Sequence, residues 1–394
     1  MAALDGVKVI DLTRVLGGPF ATQWMGDHGA EVIKIEPPQG DETRHWGPPF
    51  EEESGAASYF LGVNRNKRGM VLDLRQEAGR EVLWRLLADA DVLVENFKPG
   101  GMEKWGLGYD ALAERFPRLI HCRISGFGAD GPLGGLPGYD AVVQAQAGLM
   151  SVNGDPGGEG MRLGIPLVDI STGMSALIGI AMALYEREKS GQGQFLDLTL
   201  YDVAVSLLHP HAANWYLGGK VPGPSGNAHP NITPYDMFPT GGAPIYIAAA
   251  NDGQFARLCA VIEAEALLED TRFADHPARN RNRDALRAAL LPYLAAHDGQ
   301  TLAADLMAKA VPAGPVLTVP QVMEDAHTLH RAMAVEARGL RTTGNPVKMS
   351  RTPPDATRRR PPRFGEHTRE LLAEAGYDAD RIAALLAEGA AREG

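Results

Sequence analysis

The sequence predicts an α/β fold with a doubly wound, mostly parallel sheet. Three observations carry this: short β-branched runs alternate with helical stretches, glycine or proline marks the junctions, and the alternation continues through the first half of the chain.

In order, residues 7–12 read as a buried strand, Gly17-Gly18-Pro19 breaks it, and residues 19–28 read as a helix opened by proline in its first turn. Gly29 caps that helix and Glu31–Glu36 (EVIKIE) follows as a strand, giving a β-loop-α-β unit with parallel strands and a right-handed crossover. The pattern predicts a strand at 70–74, a helix over 77–89, and strands at 92–97 and 119–125. An apolar run, 164–168, ends at Asp169 just before an amphipathic stretch over 175–189. Residues 195–200 (FLDLTL) read as another strand, leading into a helix over 201–211. At 218–230 the composition shifts to Gly, Pro, Ser and Asn, the signature of a linker or mobile loop. Beyond it lie a strand at 245–249, helices near 254–263, 282–296 and 301–310, and a turn at 311–315. An Arg/Pro segment over 351–364 reads as a surface connection, and a helix over 366–375 follows.

The bulk numbers exclude several function classes. At 394 residues the chain exceeds a single core, so two or three domains are expected. A net charge of −11 opposes nucleic-acid or anionic-membrane surfaces, which need dense Lys/Arg patches. Cys122 and Cys259 belong to no metal or redox motif, which fits a reduced cytoplasmic setting. The N-terminal residues lack the pattern of a secretion signal, and the apolar run 176–185 is too short to cross a bilayer. His209 and His211 lack the i,i+4 spacing that sets two imidazoles on one helix face, so no metal site is expected.

Asp169 is the leading catalytic candidate. A carboxylate at a strand-to-helix junction, partly desolvated yet facing backbone N–H groups, stays ionised and nucleophilic; the same position also reads as a plain helix N-cap. Other α/β chemistries lack their parts. Leu16-Gly-Gly-Pro-Phe-Ala-Thr-Gln is not GxGxxG despite Glu36 closing the next strand, and neither a G-x-S-x-G elbow nor a P-loop occurs. A carboxylate attacking an activated acyl group would form a mixed anhydride, dividing acyl exchange into easier steps.

Eight blocks then stand in register: Asp11-Leu-Thr-Arg-Val-Leu-Gly-Gly-Pro, Gly26-Asp-His-Gly-Ala-Glu-Val-Ile-Lys-Ile-Glu-Pro-Pro, Asn64-Arg-Asn-Lys-Arg, Val94-Glu-Asn-Phe-Lys-Pro-Gly, Gly138-Tyr-Asp, Asp169-Ile-Ser-Thr-Gly, Gly191-Gln-Gly-Gln and Gly365-Glu-His-Thr. Together they resemble the class III CoA-transferases, the CaiB/BaiF family, over nearly the whole chain. The resemblance implies a Rossmann-like large domain built from the N- and C-terminal segments, a smaller α+β domain, and an interlocked homodimer. Its boundaries here are 1–217 for the first part of the large domain, 218–330 for the linker and small domain, and 331–394 for the return segment. It implies CoA transfer between carboxylic acids through an aspartyl-CoA thioester on Asp169, with coenzyme A and acyl-CoA as substrates and no tightly bound cofactor.

The resemblance places Val15, Leu74, Arg75, Asn96, Phe97 and Lys104 at CoA-holding positions. That set is chemically sensible: Arg75 and Lys104 can pair phosphates, Asn96 is a polar anchor and Phe97 an apolar wall. Tyr139 matches a tyrosine near the reacting centre. The related acyl-CoA racemases carry histidine there, and α-proton exchange needs acid/base groups on both faces of the carbon, so Tyr139 favours transfer. Arg44 and Trp46 fall on a loop bordering the acyl site, where Arg44 would clamp the second carboxylate of a dicarboxylic substrate. Leu16 replaces the glutamine of formyl-CoA transferases, and Gly226-Asn-Ala-His-Pro replaces their glycine-rich lid, which makes His229 a candidate lining residue. Both departures weaken formate or oxalate specificity and point towards succinate-like acceptors. The readings kept beside this one are an acyl-CoA racemase and a non-catalytic CoA-binding protein in which Asp169 only caps a helix.

Overall fold

The computed structural model describes residues 2–394, which form two compact units. The larger comprises residues 2–149, 162–209 and 324–394; the smaller comprises Met150–Met161 and Pro210–Met323. The smaller unit therefore borrows a segment at 150–161 that the composition shift at 218 does not signal, and the return to the larger unit begins at Glu324 rather than 331.

The large unit is built on a seven-stranded sheet. Its first six strands are β1 (Lys8–Asp11), β2 (Glu31–Glu36), β3 (Lys67–Leu72), β4 (Val92–Glu95), β5 (Ile120–Ser125) and β6 (Phe195–Thr199). The small unit holds β7 (Tyr235–Phe238), β8 (Ile245–Ala248) and β9 (Ala313–Pro315), paired antiparallel in that order. The chain then adds a hairpin, β10 (Ala334–Ala337) with β11 (Leu340–Thr343), and finally β12 (Ala391–Arg392). The large sheet runs β12-β3-β2-β1-β4-β5-β6, parallel throughout except for β12, which closes one edge antiparallel to β3.

This order reverses between β1 and β4, because the chain winds outward on one side of β1 and then returns to wind outward on the other. In open α/β sheets that reversal leaves a crevice beyond the carboxyl ends of the two strands. Asp11 and Glu95 end these strands, so residues 12–18 and 96–99 must border it.

Each sheet face is covered, as a parallel sheet requires. Period-two alternation sends Ile10, Leu12, Ile33, Ile35, Met70 and Leu72 to one face, where they pack on the helices Glu77–Leu87, Thr368–Glu374 and Ala379–Ala387. Val9, Val32, Val92, Val94, Ile120 and Cys122 face the other side, with the helices Gly17–Asp27 and Leu167–Ser190. The latter ends at Gly191, whose φ of +75° suits glycine and whose N–H bonds the Arg187 carbonyl.

Four expectations are corrected here. The third strand starts at Lys67 rather than residue 70, because Lys67 and Arg68 are buried with partners and break the apolar pattern. The helix over 201–211 is two helices, Leu200–Ser206 and His211–Gly218, separated at Pro210, which has no N–H to continue the ladder. The turn at 311–315 is the edge strand β9, where proline costs no ladder bond. The run 164–168 is a loop entering a 24-residue helix that starts at Leu167, far upstream of residue 175. That helix is long and apolar enough to cross a membrane by length and composition, and one third of its most apolar window is buried. Met174, Ile178, Met182 and Tyr185 form an exposed stripe along it.

Candidate active site

The crevice predicted by the strand order exists, and its two sides are stitched together. Leu12 N donates to the Val94 carbonyl at 2.9 Å; Arg14 N donates to Asn96 Oδ1 at 3.0 Å, and Asn96 Nδ2 returns a bond to the Arg14 carbonyl at 2.7 Å. The turn after β1 then passes through Val15 in the left-handed region, φ +71°. Beneath it lies a charged cluster removed from solvent. Lys34 Nζ donates to the Thr13 carbonyl at 2.8 Å and to Asp41 Oδ2 at 3.0 Å; Lys67 Nζ donates to Asp11 Oδ2 at 3.0 Å, Asn64 Oδ1 at 2.8 Å and the Pro19 carbonyl at 2.9 Å. Burial alone would raise the Asp11 acid, but Lys67 and Lys34 outweigh it and hold Asp11 at about 2.

Gly17 and Gly18 open the next helix, and their role is close packing. A Cβ on Gly17 would sit 3.1 Å from the Asp169 carbonyl oxygen, and one on Gly173 would sit 2.5 Å from the Gly17 carbonyl. Only residues without side chains let the helices Gly17–Asp27 and Leu167–Ser190 cross this tightly, and the crossing delivers Asp169 to the turn after β1.

A cavity of about 210 Å³ results, lined among others by Val15, Asn96, Phe97, Tyr139 and Asp169. A second, of about 180 Å³, is lined by Leu74, Arg75, Glu36, Trp105 and again Phe97. Phe97 meets Trp105 edge-on, with ring centroids 5.5 Å apart, and forms a wall common to both. Five of the six expected CoA positions therefore line the two cavities. Lys104 does not: it is exposed at the end of the short helix Gly101–Lys104, outside both linings. Arg75 lines the second cavity while held by Asp73 at 2.8 and 2.9 Å.

Asp169 is neither an N-cap nor a carboxylate facing free N–H groups. It lies in the first turn of its helix, after Pro166, and no hydrogen bond among the described residues reaches its carboxyl oxygens. The nearby donors are taken by Asp140, whose Oδ2 accepts from Val168 N at 2.8 Å and from Asp169 N at 3.1 Å. Gln144 Nε2 fixes Asp140 Oδ1 at 2.6 Å. Burial, followed by the Asp140 charge, pushes the Asp169 acid up to about 7. The expected stabilised carboxylate is thus corrected to a destabilised one, more basic than an ordinary aspartate.

Arg44 is the second correction. It is 6% exposed, forked onto Glu36 at 2.8 and 2.6 Å, bonded to the Pro362 carbonyl and set over the Phe60 ring at 3.7 Å. With Nε and Nη2 taken, and with Arg44 absent from the lining of either cavity, it is not placed to clamp a substrate carboxylate beside Asp169. Trp46 lies outside the cavity lining and packs edge-on against Tyr59 at 5.3 Å. Tyr59, which no sequence motif marks, is near the reactive pair: burial, then Asp169 and Asp140, raise its phenol. Asp140 is likewise absent from the sequence-derived candidates, although it closes the Gly138-Tyr-Asp triplet. Tyr139 precedes its helix and is 54% exposed. His229 belongs to the smaller unit, where its ring packs on Tyr235 at 5.0 Å and its Nδ1 accepts from Asn231 N at 3.1 Å. Among the described residues no group of three or more His, Cys, Asp or Glu is placed to hold a metal ion.

Fold and cavity together define an α/β enzyme with one desolvated carboxyl at the switch point of a parallel sheet. The chain belongs to the family described as CoA-transferase family III, matched over residues 4–368, and so to the enzymes that transfer CoA. It is 40% identical to the succinate–glutarate CoA-transferase of Agrobacterium fabrum, with 94% of this chain and 95% of that one covered. It is 36% identical to the human succinyl-CoA:glutarate CoA-transferase, with 98% and 89% covered. Among solved structures it resembles a CaiB/BaiF family protein from Brucella suis, with a TM-score of 0.86, 41% identity, and 95% and 99% covered.

Proposed function

We propose that this protein transfers CoA from an acyl-CoA to a small dicarboxylic acid such as succinate, with Asp169 as the covalent carrier. The observation that carries the reading is the Asp169 carboxyl, unbonded and destabilised, in a cavity that shares the Phe97 wall with a second one. The two relatives named above act on succinate, glutarate or their CoA esters, which supports the choice of acid.

In this reading one Asp169 oxygen attacks the donor thioester carbonyl; the C–S bond breaks, leaving an aspartyl–acyl anhydride and CoA thiolate. The thiolate attacks the aspartyl carbonyl, releasing the donor acid and leaving an aspartyl-CoA thioester. The acceptor carboxylate attacks that thioester to give a new anhydride and thiolate, and the thiolate takes the acyl carbonyl, freeing Asp169. A carboxyl held at about 7 is a more basic nucleophile than one stabilised near 4, and its ground state is raised relative to the neutral ester it becomes. Each anhydride step develops an oxyanion. Since Asp140 takes the N–H groups of Val168 and Asp169, the donors assigned to it are those opening the helix Gly17–Asp27, whose Gly17 and Gly18 line the cavity. Val15, Leu74, Arg75, Asn96 and Phe97 hold the coenzyme, and Tyr139 borders the acyl group.

Incubation with succinyl-CoA alone followed by borohydride or hydroxylamine should place a modification on Asp169. Full turnover with no adduct at that side chain would overturn the reading. α-Deuterium exchange without acceptor would support a racemase instead, and CoA binding without turnover a binding protein.

The exposed stripe Met174, Ile178, Met182 and Tyr185 argues for a homodimer in solution, because soluble monomers rarely leave such continuous apolar surface uncovered. Sedimentation should give twice the 42.2 kDa chain mass, and Ile178→Glu with Met182→Glu should lower it; a monomeric wild type refutes the dimer. The free Cys122 and Cys259 support a reducing, cytoplasmic setting.

A further inference from the structure

We propose that Arg14 selects dicarboxylic over monocarboxylic acids by pairing with the carboxylate that does not react. This deepens the preceding reading and rests on it.

Arg44, paired with Glu36, does not line the Asp169 cavity, so a distal carboxylate there needs another cation. Two basic side chains line that cavity, Arg14 and Lys98. Lys98 is exposed, where water screens its charge. Arg14 is half-buried, and its Nε is fully buried with no hydrogen-bond partner. Its guanidinium makes no ion pair or hydrogen bond among the described residues, in contrast to its neighbours: Arg65 is held by Asp27, Arg75 by Asp73 and Arg123 by Glu95.

A buried donor without an acceptor is costly unless a ligand supplies one, and a planar fork of N–H groups matches a carboxylate. The Asn96 bonds to both backbone groups of Arg14 fix the point from which its side chain enters the cavity. The acids of the same lining are Glu42 and Asp169. In the preceding reading Asp169 is an uncharged thioester when the acceptor arrives, so Glu42 is the one acid of this lining left to oppose an incoming anion. Arg14 also lines the cavity of Leu74 and Arg75, which makes the coenzyme phosphates the rival partner that the experiment must separate.

The test compares kcat/KM for succinate with that for butyrate, and for glutarate with that for valerate, using one acyl-CoA donor. Arg14→Met should lower the dicarboxylate-to-monocarboxylate ratio by about 10- to 100-fold, with the loss mainly in acceptor KM. Arg14→Lys, which keeps the charge but not the fork, should recover part of the ratio and carries the test alone if the Met variant does not fold. An unchanged ratio overturns the proposal. So does a Met variant whose loss lies in CoA affinity measured by calorimetry, which would place Arg14 on the phosphates. A wild type that transfers CoA to no acid sinks the preceding reading instead, whereas one that transfers without preferring dicarboxylates sinks this inference alone.

Discussion

Asp169→Asn should lose at least about a thousandfold in transfer, as expected when a covalent nucleophile is removed, and at the same time become more stable at pH 8. The Asp169 acid sits near 7 in the folded chain against the 3.8 of an ordinary aspartate, raised by burial and then by Asp140. An acid raised on folding binds its proton more tightly in the native state. Stability therefore falls as pH rises from about 4 to about 7, and the penalty is complete above that. The distance from 3.8 to about 7 sets a ceiling of about 4 kcal/mol on what neutralising the group can recover, and the unpaired amide of asparagine reduces the gain to about 1–3 kcal/mol. Urea unfolding at pH 8 and pH 4 checks this: the gain should be present at pH 8 and absent at pH 4. Equal stability at both pH values would mean that the carboxylate is not destabilised.

The same electrostatics gives kinetics a sign. Asp169 must be ionised to attack, so kcat/KM should rise with pH through a limb near 7 in the free enzyme. Asp140→Asn removes one of the two causes of the raised acid while keeping an oxygen that can accept from Val168 N or Asp169 N. Its limb should move to lower pH, whereas a purely structural Asp140 would change the amplitude of the profile and leave the limb in place.

Much of the fold is legible in the sequence where the sequence is apolar. Glu31–Glu36 and Ile120–Ser125 stand at or within one residue of the expected strands because their β-branched residues face a core. The start of β3 is hidden because Lys67 and Arg68 look solvent-facing, yet they are buried by Asp11 and by Glu370 and Glu374, partners remote in sequence. Arg44 misleads for the same reason. A charge near a reacting centre looks available until its counter-ion is located, and Glu36 lies eight residues away on a strand that reads as ordinary core. Asp169 stands out by position, but the sign of its perturbation does not, since that depends on Asp140 claiming the helix N–H groups across 29 residues of chain.

The largest stability effect should come from the buried cluster beneath the turn after β1. Lys34, Lys67, Asp11 and Asp41 have no exposed side-chain surface, and burial pulls the Lys67 ammonium down to about 8 even with Asp11 beside it. Such a cluster gives little net stability over an apolar packing of the same volume, but breaking it is expensive. Lys67→Met should cost about 3–5 kcal/mol, because Asp11 keeps its charge with one fewer cation and Asn64 and the Pro19 carbonyl lose their donor. The double variant Asp11→Asn, Lys67→Met should recover about 2 kcal/mol or more of that loss, a coupling that a denaturant-unfolding cycle measures directly. Additive losses would mean that the two side chains act independently. The cluster also explains why a cost of this size is worth carrying at this place. Lys34 holds the Thr13 carbonyl and Asp41 accepts from Val15 N at 3.4 Å, so the ions clamp a left-handed turn that apolar side chains have no means to grip. That turn carries Arg14 and Val15 into the cavity and sets Gly17 against Asp169. Lys34→Met should therefore weaken CoA binding and lower kcat even in the fraction that remains folded, whereas a substitution of equal stability cost in the core facing the helix Ala379–Ala387 should change only the folded fraction.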